Sequence, residues 1–175
     1  MTSGRRSLEV LVIGAGMAGL VAAWQAATAG ARTRVVSAGW GALYWHAGCI
    51  DVLGYHPPDQ PVESPAEALG RLEPAHPYTR AGREALEQAL SALAELCTRA
   101  GYPLEGSLER NWLLPSALGA ARPTCLAPAT MTAGDLRRRG AMVLVGFRGF
   151  ADFHPGLIAA NLAERGVPAR EVVLD

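Results

Sequence analysis

Residues 10–37 read VLVIGAGMAGLVAAWQAATAGARTRVVS: a Val-rich run, the spacing Gly14-x-Gly16-x-x-Gly19, an Ala-rich segment, and a second apolar run at 33–36. Three glycines placed where a strand hands over to a helix imply a specific ligand geometry. Gly14 permits the tight turn, Gly16 lets backbone approach a pyrophosphate, and Gly19 lets helix and strand pack closely. The helix N-terminus at Met17 and Ala18 offers free amide hydrogens to phosphate oxygens. Ala23 extends the seam of small residues along the same helix face. The stretch reads as strand, phosphate loop, helix and strand, and points to a dinucleotide or flavin cofactor. The plainer alternative is that the glycines serve only helix–sheet packing.

One expected part is missing. Dinucleotide sites place an Asp or Glu at the end of the second strand, where it accepts hydrogen bonds from the adenosine ribose. Here that place holds Val35, Val36, Ser37 and Ala38. Ser37 offers a weaker hydrogen bond, and the charge-assisted one is gone. Either the adenosine half is held loosely, or the ligand lacks it, as FMN does.

A chain of 175 residues, half of them apolar, is long enough for one domain or a domain and a half. Its 16 basic and 16 acidic side chains cancel, so no overall field draws it to nucleic acid or an anionic membrane. Every basic residue is Arg, which removes Schiff-base chemistry and a phosphate-loop lysine. Cys49, Cys97 and Cys125 are odd in number and widely spaced, matching neither a disulfide framework nor a metal cluster. They read as reduced cytosolic thiols, and no metal site is expected. Arg5-Arg6 ahead of an uncharged run from 10 to 31 imitates a twin-arginine or secretory signal, or a membrane span. Glu9 and the three glycines oppose that reading, because they weaken a spanning helix and suit a strand–turn–helix.

Beyond the second strand, residues 37–55 (SAGWGALYWHAGCIDVLGY) are rich in Gly and aromatics and carry no helical or strand period. Such segments wrap ligands or pack between elements. Residues 56–82 hold half of the twelve prolines and read as loop with a short helix at 65–72. An amphipathic helix is predicted over 83–100, with Leu86, Leu90, Leu93 and Leu96 or Cys97 on one stripe and Gly101 as its stop. That stripe reads as core. Residues 102–140 look irregular, with a basic cluster at Arg137 to Arg139. A second strand–helix–strand unit follows: strand 141–145, a glycine-bearing turn Gly146-Phe147-Arg148-Gly149-Phe150, helix 155–165 stopped by Gly166, and strand 170–174. The chain ends just after that strand, although a parallel strand normally has neighbours on both sides, so a polypeptide short of its full fold is expected.

The expected class is therefore α/β: a Rossmann-like FAD/NAD(P)-binding parallel sheet, incomplete, with a second small strand–helix–strand subdomain. The expected parts are a flavin-phosphate-binding unit at 1–55, a mixed loop and helix region at 56–140, and the second unit at 141–175, the start of a longer subdomain.

Five segments together carry a family resemblance: VLVIGAGMAGLVAA, the 37–55 segment, EPAHPY at 73–78, LLPSALGAARPTCLAP at 113–128 and VLVGFRGFADFHPGLIAANL at 143–162. In order and spacing, over nearly the whole chain, they resemble the B-type subunit of the anaerobic glycerol-3-phosphate dehydrogenase, which is longer. The resemblance implies a flavin subunit, with FMN as cofactor and FAD as the alternative. It further implies partners, an FAD-bearing catalytic subunit and an iron–sulfur membrane-anchoring subunit, and a cytoplasmic place peripheral to the inner membrane without direct insertion. The complex would oxidise sn-glycerol 3-phosphate to dihydroxyacetone phosphate and pass electrons to quinone. By position, Gly14, Gly16 and Gly19, with Met17 and Ala18 between them, match the flavin-phosphate loop. Gly39, Ala42, Leu43, Gly48 and Asp51 match the segment after the second strand. A different class stays open: an assembly subunit that keeps the scaffold and binds no flavin.

No catalytic residue can be assigned from the sequence. His46 reads as a loop residue more than a flavin neighbour, and Cys49, with no partner thiol nearby, reads as a small buried residue. Asp51 suits either a ribityl hydrogen bond or a turn cap. His154 is expected at the start of its helix, Arg137 to Arg139 on a solvated surface, and Arg148 at the C-terminal end of a strand, where ligands gather.

Overall fold

The computed structural model describes residues 7–175, so the Arg5-Arg6 pair of the targeting reading lies outside the described residues. The chain divides into two compact units, the first ending at Ala47 and the second beginning at Gly48.

In the first unit, β1 (Val10–Ile13) leads through the glycine loop into α1 (Met17–Thr28) and back to β2 (Thr33–Val36). The β-branched residues at 10, 12 and 13 and at 33, 35 and 36 favour extended backbone. The two strands pair in parallel, Val10 with Thr33 through Ile13 with Val36. Val12 faces α1, where Ala23 is buried, as is Ala15 in the loop between them, while Leu11 and Ile13 point to the opposite face and are exposed, Ile13 by 83 %. Gly30, at φ +90, ends the helix where a side chain would be strained. A short 3-10 helix, Gly41–Trp45, completes the unit.

The second unit begins with loop, then α2 (Pro65–Leu69), α3 (Pro77–Ala81) and α4 (Arg83–Arg99). Ser64 caps α2 by accepting the Glu67 N–H at 3.3 Å, a Ser-x-x-Glu start with Pro65 at the first helical position. The α4 stripe is core, as its spacing predicts: Leu86, Leu90, Leu93 and Cys97 pack on Ala66, Leu69, Leu104, Leu108, Cys125 and Leu126. Gly101 at φ +77 follows the helix end.

Residues 102–140 are not irregular. They hold two antiparallel ribbons, β3 (Leu104–Gly106) with β6 (Leu126–Pro128) and β4 (Trp112–Pro115) with β5 (Ala121–Thr124). These strands are three or four residues long, and Pro115, Pro123 and Pro128 interrupt their sequence pattern. A two-stranded ribbon tolerates a proline wherever that residue's N–H would face an unpaired edge.

The unit closes with β7 (Met142–Phe147), α5 (Pro155–Glu164) and β8 (Ala169–Leu174), the strands parallel from Met142–Ala169 to Phe147–Leu174. Here the strand runs further than the sequence implies, since Gly146 and Phe147 belong to the ladder and not to the turn. Gly146 serves packing: a Cβ there would fall 2.7 Å from Pro155 Cγ, at the first turn of α5. Ile158 and Leu162 of α5 form a buried cluster with Leu136 and Val167, against which Met142, Leu144 and Phe153 pack. Gly166, at φ +74, follows α5 as expected. Among the described residues no helix is long and apolar enough to cross a membrane.

Candidate functional site

The glycine loop hangs from both strands of the first unit. The Gly14 N–H donates to the Val36 carbonyl at 2.8 Å, which ties the loop to the end of β2. Gly14 sits at φ +106, a backbone region open to glycine, and turns the chain sharply out of β1. At Gly19 the reason for glycine is contact: a Cβ would lie 2.1 Å from the Gly14 carbonyl oxygen, so α1 leaves the strand at a distance no side chain allows. Gly16 is different. It has the extended conformation of an N-cap, φ −73 and ψ 174, and a Cβ built there meets nothing within 4 Å.

That open ground lies in front of the helix N-terminus. The first intrahelical bond runs from the Leu20 N–H to the Gly16 carbonyl at 3.0 Å, leaving the amides of Gly16, Met17, Ala18 and Gly19 without helical acceptors. No side chain caps them and no acidic residue stands in the first turn. The positive end of the macrodipole is therefore uncompensated by the protein, and the donor set fits a phosphate.

The segment after β2 comes to the same place. A Cβ at Gly41 would lie 3.7 Å from Gly16 Cα, so the 3-10 helix carrying Ala42 and Leu43 starts against the loop. Leu43 is half-buried, whereas Trp40, Tyr44 and Trp45 are exposed, Trp45 by 86 %. Ser37 closes a local turn: its hydroxyl donates to the Gly39 carbonyl and accepts the Gly39 N–H at 3.1 Å.

The remaining candidates fall in the second unit, apart from His46 at the end of the first. Gly48 sits at φ +83, and a Cβ there would be 2.6 Å from the Tyr102 hydroxyl. Asp51 accepts a hydrogen bond from the Thr124 hydroxyl, with Arg122 Nη2 at 3.9 Å. Cys49 is buried with its sulfur 3.9 Å from Met131 Sδ. His46 is exposed, and His154 occupies the N-cap of α5 without a side-chain capping bond. Arg148 is exposed and pairs with Asp175 at 2.5 Å.

By its sequence the run Arg137 to Arg139 reads as solvated, and nothing there marks Asp135. Asp135 is buried and accepts from Arg137 Nε at 2.9 Å and Nη2 at 2.6 Å. Arg137 Nη2 also donates to the Asn111 carbonyl at 2.8 Å. Burial pushes the Asp135 carboxyl up, but the hydrogen bonds and charge of Arg137, with Arg138 nearby, outweigh it and hold the group below the usual carboxylate range. The one local signal was the Asp-x-Arg spacing at 135–137, which is too short and too common to mark a buried pair.

Comparison with known proteins places these features in a family context. The FAD binding domain family matches residues 9–175. A protein of Yersinia enterocolitica, named as the B-type subunit of anaerobic glycerol-3-phosphate dehydrogenase, is 37 % identical over 166 residues, covering 91 % of this chain and 39 % of that protein. The protein of the same name from Pectobacterium carotovorum is 36 % identical over 168 residues, 93 % of this chain and 40 % of its own. One from Halobacterium salinarum, named as a probable form of the same subunit, is 39 % identical over 162 residues, 91 % of this chain and 37 % of its own. The chain thus spans about two fifths of the length of these curated relatives. No solved structure matches it.

Proposed function

The chain belongs to the FAD binding domain family, and from that premise we propose that it is the flavin-phosphate-binding portion of an anaerobic glycerol-3-phosphate dehydrogenase subunit. The observation that carries this reading is the loop at Gly14 to Gly19: unclaimed amides at a helix N-terminus, open space at Gly16, and a contact at Gly19 that holds the helix in place. The names of the relatives supply the dehydrogenase and the complex.

Each residue then has a part. Gly14 turns the chain, Gly16 leaves room for the phosphate, the amides of Met17, Ala18 and Gly19 donate to its oxygens, and Gly39, Ala42 and Leu43 wall the adjoining space. For Gly48 and Asp51, which belong to the second unit, we propose only that the Asp51 carboxylate can accept a hydrogen bond from a flavin hydroxyl. A bound flavin supplies two-electron redox chemistry that none of these side chains possesses. FMN is the flavin proposed, because the end of β2 offers no acid to a ribose and the Ser37 hydroxyl is turned onto Gly39; FAD is the competing ligand, favoured by the family match. In the complex, electrons from sn-glycerol 3-phosphate, oxidised on an FAD-bearing partner, would leave toward quinone through an iron–sulfur subunit held at the membrane.

The test is the visible spectrum of the purified chain, followed by extraction and chromatographic separation of FMN from FAD. A yellow protein releasing FMN supports the full reading, and FAD would replace the cofactor. A colourless chain that takes up neither flavin, alone or with its partner subunit, would leave the flavin-free assembly subunit in its place.

A further inference from the structure

One cavity is lined wholly by residues of the second unit. It measures about 440 Å³ and is lined by Ser107, Arg110, Trp112, Asp135, Arg137 and Arg138, among others. That volume falls in the range of small-molecule sites. An adjoining hollow of about 260 Å³ shares Trp112 and Arg137 with it and is bordered by Glu63.

The guanidiniums here are arranged, not scattered. Arg137 is fixed by its fork onto Asp135 and its bond to the Asn111 carbonyl, which leaves Nη1 uncommitted to either. A single oxygen, Glu63 Oε1, stands 3.8 Å from that Nη1 and 3.2 Å from Arg110 Nη2. Two cations from different parts of the chain therefore converge on one anionic atom. Glu63 itself is 73 % exposed, a tether that can swing into water. Arg138 also lines the cavity, close enough to Asp135 for its charge to lower that carboxyl. Ser107 Oγ already accepts the Glu109 N–H at 3.2 Å, so its O–H remains to donate. Trp112 spends its N–H on the Glu105 carbonyl at 2.8 Å and offers only ring carbon to the cavity.

Charge sets the ligand. With Glu63 swung out, Arg110, Arg137 and Arg138 face one carboxylate, Asp135, leaving two positive charges uncompensated. A phosphate monoester near neutral pH carries the matching charge and the tetrahedral oxygens that several guanidiniums can share. The indole surface suits a carbon-bearing ester over the bare ion. We infer that this cleft binds a small phosphate monoester through Arg110, Arg137, Arg138 and Ser107, with Glu63 as an internal anion that the ligand displaces. The site needs no flavin and stands independently of the proposed function.

Calorimetric titration of the full chain with sn-glycerol 3-phosphate, inorganic phosphate and glycerol tests it, with flavin absorbance recorded for every variant. The ester is expected to bind more tightly than inorganic phosphate, and glycerol not at all. Arg110→Gln and Arg138→Gln should each weaken the ester by about 10-fold. Glu63→Gln should tighten it several-fold, a gain that general loss of structure cannot produce and that keeps the test valid if an Arg variant folds poorly. The flavin content of all three should match the wild type, separating this outcome from failure of the glycine loop. No saturable binding of either phosphate probe, in wild type and Glu63→Gln alike, overturns the proposal. So does binding that neither Arg substitution weakens, or inorganic phosphate binding as tightly as the ester.

Discussion

Asp135 and Arg137 form a two-point hydrogen bond, Nε and Nη2 on the two carboxylate oxygens, with the acid almost fully buried and the guanidinium largely so. The pair closes one wall of the arginine cleft and pins it to Asn111. Deleting one partner of such a pair leaves the other charge without its compensation, which costs more than the pair itself contributes. Arg137→Ala is expected to destabilise the chain by about 3 kcal/mol, the lower end for a buried pair because the guanidinium retains some solvent. Asp135→Asn combined with Arg137→Ala should recover part of that loss. Urea unfolding of both variants at neutral pH measures the difference, and a double variant no better than Arg137→Ala contradicts the account.

The same pair gives an acid dependence. The Asp135 carboxyl titrates below its ordinary value in the folded chain, so the folded state binds its proton less readily than the unfolded state. Its contribution is then complete above the unfolded value, about 3.9 for Asp, and fades as pH falls from there through the lower folded value. The stability gap between wild type and Asp135→Asn should be constant from neutral pH down to that region and shrink below it. Unfolding curves across a pH series show the gap directly; a gap that closes near neutrality would point to a different group.

Gly16 and Gly19 should separate folding from binding. A methyl at Gly19 collides with the Gly14 carbonyl, whereas one at Gly16 enters open space on a backbone that any residue adopts. Gly19→Ala is expected to cost about 1–3 kcal/mol, as overpacking does, and to lose flavin with the fold. Gly16→Ala should change stability by less than about 0.5 kcal/mol, as substitutions that touch nothing do, yet lower flavin content by occupying the phosphate's ground. Thermal unfolding with flavin-to-protein absorbance ratios reads both. Equal flavin retention in Gly16→Ala and wild type would contradict the phosphate placement.

What the sequence made legible follows from how local each cause is. The turn at Gly14, the close approach at Gly19 and the stripe from Leu86 to Cys97 all rest on spacings within a few helical turns, and each is where its residues imply. The ribbons at 104–128 depend on pairing partners distant in sequence, such as Leu104 with Pro128, and their prolines mask the alternation a strand normally shows. Gly146 looked like a turn residue because its reason, contact with Pro155, is tertiary. The arginine cleft was hidden for the same cause. Glu63, Arg110 and Arg137 are far apart in sequence, and only the fold brings their charges onto one oxygen.

Cys125 should report unfolding as a buried thiol. It is fully buried, and burial first, then the charge of Asp51, pushes its pKa up to about 11. A thiol raised in the folded state stabilises the fold below its unfolded value, about 8.5, and that contribution is lost as pH climbs from there toward the folded value. Two consequences can be measured. In mildly alkaline buffer, Ellman's reagent should modify Cys97, which is only partly buried, while Cys125 reacts only as denaturant opens the fold. Cys125→Ala should lose packing in the core shared with Leu104 and Leu126 but flatten the alkaline fall in stability. Peptide mapping after timed labelling identifies which sulfur reacts, and rapid native-state modification of Cys125 would show that the barrier over this core is open to solvent.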